Sequence, residues 1–168
     1  LTVAPVLADA EDFVDTEFNL HLLNMSVSDP DSKRPLKVAG PGSIRIHSRQ
    51  PDVEYDGPGW VEKQGFYDQG FARETGGWGD RVTVRYRCQS THDLYVGTEI
   101  RPGGATATVT LDGDSPTTLN TSLGIDPPIV AIRKVRSNVP AGLHELVASC
   151  DGNGPFVFDH IEAVVPSN

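Results

Sequence analysis

Asp80-Arg-Val-Thr-Val-Arg-Tyr-Arg-Cys88 decides the fold class. Val82, Val84, Tyr86 and Cys88 fall on one face of an extended chain and Arg81, Thr83, Arg85 and Arg87 on the other, the period of two that marks a strand with one wet face. Downstream, Ala105-Thr-Ala-Thr-Val-Thr-Leu111 runs into Asp112-Gly113-Asp114 and returns through Pro116-Thr-Thr-Leu119. Asp-Gly at the apex is the pairing that type I′ hairpins prefer, so this stretch predicts a β-hairpin.

Working outward, Asp93–Ile100, Ile129–Val135, Ala141–Cys150 and Phe156–Val165 read as further strands, each set off by Gly, Pro or Asn turn signals. Pro35–Ala39 and Ser43–His47 read as a strand pair around Gly40-Pro41-Gly42, with Ile44 and Ile46 facing one way and Arg45 and His47 the other. Glu17–Val27 reads as a strand stopped by Asp29-Pro30-Asp31-Ser32, and residues 1–16 as a lead-in strand or linker. Roughly ten strands with turns about every ten residues, and no helical pattern, predict an all-β antiparallel sandwich or jelly roll. At 168 residues one domain is expected. The weakest joint is Gln50-Pro51, which sets residues 1–50 apart either as an extra N-terminal strand layer on a core at 53–165 or as the tail of a neighbouring domain.

Composition agrees: 17 Gly and 13 Pro suit short strands and tight turns. A net charge of −9 argues against nucleic acid as a partner, because phosphate binding needs clustered Lys and Arg. No apolar run reaches the roughly 18 residues that a membrane helix needs, so no membrane insertion is expected. A start at Leu1 rather than Met fits a processed mature protein or an excised module, and the processed reading implies secretion.

The segment from Tyr55 to Trp78 is both the most aromatic and the most glycine-rich of the chain, and it reads as loops that present rings. Trp60, Tyr67 and Trp78 sit among glycines and acids, the mixture on which a sugar stacks its apolar face while polar groups bond its hydroxyls. The plain alternative is that each ring caps the open end of the core. Catalysis has no anchor. The five histidines are never closer than 16 residues apart, Asp112-Gly-Asp114 is explained by its hairpin, and no Gly-x-Ser-x-Gly elbow occurs. Asp56 and Glu62 as paired acids of a glycosidase rest only on the abundance of carboxylates. Asn24-Met-Ser26 and Asn120-Thr-Ser122 fit the glycosylation acceptor pattern, which recurs by chance.

Taken in order, Tyr55-Asp-Gly-Pro-Gly-Trp60, the Gly-Asp80 opening of a Val-Thr-Val strand, Leu94-Tyr95, Ala107-Thr-Val-Thr-Leu-Asp-Gly-Asp-Ser-Pro-Thr-Thr118, Val139-Pro-Ala-Gly-Leu-His144 and Phe156-Val-Phe-Asp-His-Ile-Glu162 resemble the galactose-binding-domain-like jelly rolls. The likeness spans residues 53–165. It implies two antiparallel sheets in a secreted or cell-surface module that is usually non-catalytic, often binds a glycan through loops at one end, and sometimes holds a structural calcium. Asp9-Ala-Glu-Asp12 only loosely echoes the family's calcium-binding acids and lies far upstream of Trp60, so no cofactor is expected and calcium is permitted without being implied. The extracellular resemblance favours a disulfide between Cys88 and Cys150, each at the end of a predicted strand, over two buried free thiols.

The sequence thus yields two function classes. The first is an extracellular carbohydrate-binding module with Trp78 and Tyr67 as stacking platforms, Tyr55 beside them, Asn153 of the Asp151-Gly-Asn-Gly154 turn adding hydrogen bonds, and Trp60 the ring that most resembles a core residue. The second is a structural subunit that joins copies of itself or neighbouring domains through exposed strand edges.

Overall fold

The computed structural model describes residues 41–124 and 126–166. The strands and linker expected within residues 1–40, and Asp9–Asp12 with them, lie outside the described residues. Eleven strands follow in order: β1 Ile44–His47, β2 Val53–Asp56, β3 Val61–Gln64, β4 Phe71–Thr75, β5 Arg81–Cys88, β6 His92–Ile100, β7 Thr106–Leu111, β8 Thr117–Asn120, β9 Ile129–Val139, β10 Gly142–Cys150 and β11 Phe156–Val164. One sheet runs β3-β4-β11-β6-β9 with β1 also on β11; the other runs β2-β5-β10-β7-β8. All of these pairings are antiparallel, the all-β sandwich that the strand grammar predicts.

Strand β5 buries Val82, Val84, Tyr86 and Cys88 as its alternation requires. They meet Leu146 and Ala148 of β10, Ala107 and Val109 of β7, and Phe156, Phe158 and Ile161 from the facing sheet in one apolar core. Each large side chain taken fully out of water contributes roughly 1.5–3 kcal/mol before ordering costs are subtracted. The β7–β8 hairpin turns through Asp112 and Gly113 with φ of 52° and 75°, the two positive values of a type I′ turn, and the Asp114 N–H donates to the Leu111 carbonyl at 2.9 Å.

Strand β11 is buried on both faces. Its irregularity between Phe158 and His160 shifts the alternation, so that Phe156 and Phe158 before it and Ile161 and Ala163 after it all join the core. Arg45 of β1 reaches Glu162 at 2.7 Å and Asp68 at 3.5 Å, and the Asp68 N–H donates to the Asp159 carboxylate at 3.1 Å. Arg45 therefore comes to lie as deep as Ile46, although the alternation puts the two on opposite faces. Within residues 1–50, β1 belongs to the same sheet as β11.

Two expectations are corrected. The segment from Tyr55 to Trp78 is not all loop, since it takes in the end of β2 and contains β3 and β4. Both are short, and β3 exposes Val61, Glu62 and Gln64, so neither has an apolar face to announce it. The disulfide is also absent: Cys88 and Cys150 are buried free thiols. Cys88 sits opposite Gly142, the first residue of β10, whereas Cys150 is the last residue of that strand and lies opposite Ala107. Eight residues of extended strand separate the two levels by about 27 Å, far beyond the roughly 7 Å that a disulfide spans between Cα atoms.

Candidate functional site

The strand registers bring the connections 57–60, 76–80, 101–105 and 151–155 to one end of the sandwich. Asp56 pairs with Arg81, Ser149 with Arg81, Cys150 with Ala107 and Phe156 with Thr75. Main-chain bonds tie these loops together: Gly79 N–H to Cys150 O at 2.9 Å, Cys150 N–H to Asp80 O at 2.9 Å, and Ala105 N–H to Pro155 O at 3.0 Å.

Trp78 stands on this end with 84% of its surface exposed. Its backbone and Cβ abut Gly152, where any side chain would come within 2.7 Å of the Trp78 Cβ, so the 151–154 turn lies directly beside it. In that turn Asp151 accepts from the Thr106 N–H, the Asn153 N–H and the Asn153 Nδ2, each at 3.1 Å, which fixes the exposed Asn153 within the turn that abuts Trp78. An exposed Asp56–Arg81 ion pair at 3.2 Å flanks the same end. Neither residue is expected here from the sequence alone; their signal is an acid before the Gly-Pro-Gly turn and a cation opening β5.

The remaining candidates separate from Trp78. Trp60 is half-buried, 4.8 Å from the Tyr55 ring and 6.3 Å from Phe156, with its Nε1 donating to Asp56 O at 3.2 Å. Tyr55 packs on Phe158 and donates its hydroxyl to Ser48 O at 2.7 Å, and burial pushes that hydroxyl well above the usual tyrosine range. Both belong to the margin of the core. Tyr67 is corrected outright as a stacking platform, because it is only 7% exposed and packs with Ala72, Val130 and Val157 in a separate small cluster. Its hydroxyl donates to Glu99, and burial followed by that carboxylate raises its pKa far beyond the normal value.

The opposite end is built from rings and turns. His92 turns Nδ1 to the Ser90 carbonyl at 2.9 Å, so that nitrogen carries the proton and Nε2 accepts from the Tyr86 hydroxyl at 3.0 Å. Burial, reinforced by nearby His144, pushes the His92 pKa down. His144 faces the Asp112 carboxylate at 2.7 Å and the Pro140 carbonyl at 2.9 Å, which joins the hairpin turn to the β9–β10 turn. Burial pushes the Asp112 carboxyl up, but its bonds from His144 and the Glu145 N–H outweigh that and leave it below the usual carboxylate range. Among the described residues no group of three or more His, Cys, Asp or Glu could hold a metal ion, and no helix is long and apolar enough to cross a membrane.

No protein-family model matches the sequence, and no curated protein matches it. Solved structures do. A family two carbohydrate esterase from Cellvibrio japonicus superposes with a TM-score of 0.53 at 12% identity, covering 75% of this chain and 36% of its own. The GH26-CBM35 β-(1,4)-mannanase of Podospora anserina gives 0.56 at 16%, covering 76% of this chain and 29% of its own. The CBM36-1 domain of a multidomain xylanase from the hindgut metagenome of Trinervitermes trinervoides gives 0.52 at 13%, covering 75% of this chain and 99% of its own. The chain thus spans about a third of the length of the esterase and the mannanase. At these identities the likeness is one of fold: a two-sheet antiparallel β-sandwich shared with the CBM36-1 domain and with parts of the esterase and the mannanase.

Proposed function

We propose that this chain is a non-catalytic, extracellular carbohydrate-binding module, a single sandwich domain that receives a sugar ring against Trp78 at the loop end of the sandwich. The observation that carries the reading is the exposure of Trp78 on a loop tied by main-chain bonds to its neighbours. A large apolar ring left in water is unfavourable unless a ligand covers it, and the face of a pyranose fits an indole. Asn153 and the exposed Asp56–Arg81 pair supply donors and acceptors for hydroxyls around it. The fold shared with the CBM36-1 domain and with a mannanase that carries a CBM35 supports the same reading. No cofactor enters it. Affinity electrophoresis through gels containing soluble xylan, mannan, β-glucan or galactan is the test. Retardation by at least one polysaccharide is expected, and mobility unchanged in all four, with no binding on a glycan array, would reject the reading.

A second reading, assembly with another copy or a neighbouring domain, is favoured by one observation. The outermost strand β3 and the connection after it expose Val61 and Phe66, the latter to 82%. A mass in solution that rises with concentration and returns to the monomer in a Val61→Lys, Phe66→Ser variant supports it; a monomer at all concentrations removes it.

A further inference from the structure

We infer that Asp80 is the positioning residue of the Trp78 loop, and that the glycines at 57, 59 and 77 are there to admit its carboxylate. Its consequence for affinity rests on the carbohydrate reading; its consequence for loop order does not.

Asp80 is only 4% exposed. A buried carboxylate persists only where donors replace the lost water, and these donors come from the segments that frame the site. The Gly59 N–H of the β2–β3 connection donates at 3.0 Å, and the Thr75 hydroxyl at the end of β4 donates as well. The same Thr75 oxygen accepts the Gly77 N–H at 3.0 Å, so one chain of hydrogen bonds runs from Gly77 through Thr75 to Asp80. Asp80 also closes the turn with its own backbone, N–H to Gly77 O at 3.2 Å. A Cβ at position 57, 59 or 77 would come within 1.9, 2.3 and 2.4 Å of its carboxylate oxygens. Three loop positions are therefore stripped of side chains around one acid.

Trp78 lies between Gly77 and Gly79 with its ring in water, so little packing holds it. Its position is inherited from the turn, and the turn from Asp80. A side chain that must be ordered at the moment of binding weakens the complex, here by about tenfold.

The chain has two tryptophans, so 5-fluorotryptophan labelling gives two ¹⁹F resonances, with Trp60 reporting the core and Trp78 the loop. In Asp80→Ala the Trp78 resonance should sharpen and move toward that of the free amino acid while the Trp60 resonance stays put, and Asp80→Asn, which keeps one acceptor oxygen, should fall between. Affinity for whichever of soluble xylan or mannan retards the wild type should drop by about tenfold in the alanine variant. An unchanged Trp78 resonance in a folded Asp80→Ala protein overturns the inference. If Trp60 moves too, Thr75→Val, which cuts the link to Gly77 and leaves the Asp80–Gly59 bond, decides by the same two resonances, and an unmoved Trp78 there overturns it equally. A wild type that binds neither polysaccharide counts against the carbohydrate reading, while the two resonances still decide the role of Asp80.

Discussion

The two ends of the sandwich are fastened by opposite means. At the Trp78 end one buried carboxylate gathers loops of glycine and leaves a large ring in water. At the other end the rings themselves are the fasteners, with Tyr86, His92 and His144 packed within 5.2–5.5 Å of one another and bonded to the surrounding turns. An aromatic that closes a structure turns inward and finds a partner for its polar atom. Trp78 does not turn inward, and that exposure is the contrast on which the carbohydrate proposal rests.

The largest expected effect probes the boundary between display and core within the first end. Trp60→Ala should lower the unfolding free energy by about 3 kcal/mol, because the indole packs on Tyr55 and Phe156. Urea denaturation checks this, and a loss below about 1 kcal/mol would move Trp60 from the core to the display. Next, Gly77→Ala should cost roughly 1–3 kcal/mol by forcing a methyl against the Asp80 carboxylate, whereas Gly79→Ala meets open space and should cost about 1–2 kcal/mol through its φ of 81° alone. Removing Asp80 should abolish the Gly77→Ala cost and leave the Gly79→Ala cost unchanged; a Gly77→Ala cost that persists without Asp80 would place its source elsewhere.

Acid should act on the histidine end. The folded His92 has its pKa below the unfolded value of about 6.5, so as pH falls through that value the unfolded chain takes up a proton that the folded one refuses, and stability declines. Asp112, held below the usual carboxylate range, contributes stability present above about pH 3.8 and lost as pH falls through its folded pKa, so its loss begins only in more acid solution. One proton limits the His92 slope to about 1.4 kcal/mol per pH unit. Denaturation midpoints at pH 7, 6 and 5 should fall in the wild type and flatten in His92→Gln; a slope that survives the substitution assigns the effect to another group. The smallest expected effect is none at all. The unfolded protein without reductant should take two alkyl groups, one on each cysteine, and a mass two hydrogens short with no alkylation would restore the disulfide.

Strands such as β5 and the β7–β8 hairpin were legible because one wet face writes its period into the sequence, and Asp112-Gly113 adopts the backbone that its residue types favour. Strand register was not legible, which is why two cysteines at strand ends looked joinable when they lie at opposite ends of the paired strands β5 and β10. Tyr67 was misread for a related reason. Its cover and its partner Glu99 come from strands remote in sequence, and nothing local distinguishes a ring folded back on a sheet from a ring in water. The sequence shows glycines around Trp60 and Trp78 but not what fills the space they leave, and at Gly57, Gly59 and Gly77 that is the Asp80 carboxylate. A clue was present, since Asp80 keeps the parity of Val82, Val84 and Tyr86 and so points inward with them. Trp78 was the most legible candidate, because four residues of Gly-Gly-Trp-Gly offer nothing that could bury an indole.

Trp78→Ala separates display from packing on two scales at once: isothermal titration with the polysaccharide that retards the wild type, and urea denaturation. Binding should be lost while the unfolding free energy changes by no more than about 0.5 kcal/mol, as befits a ring that packs on almost nothing. Affinity unchanged in a folded Trp78→Ala protein, or a variant that unfolds, would contradict it.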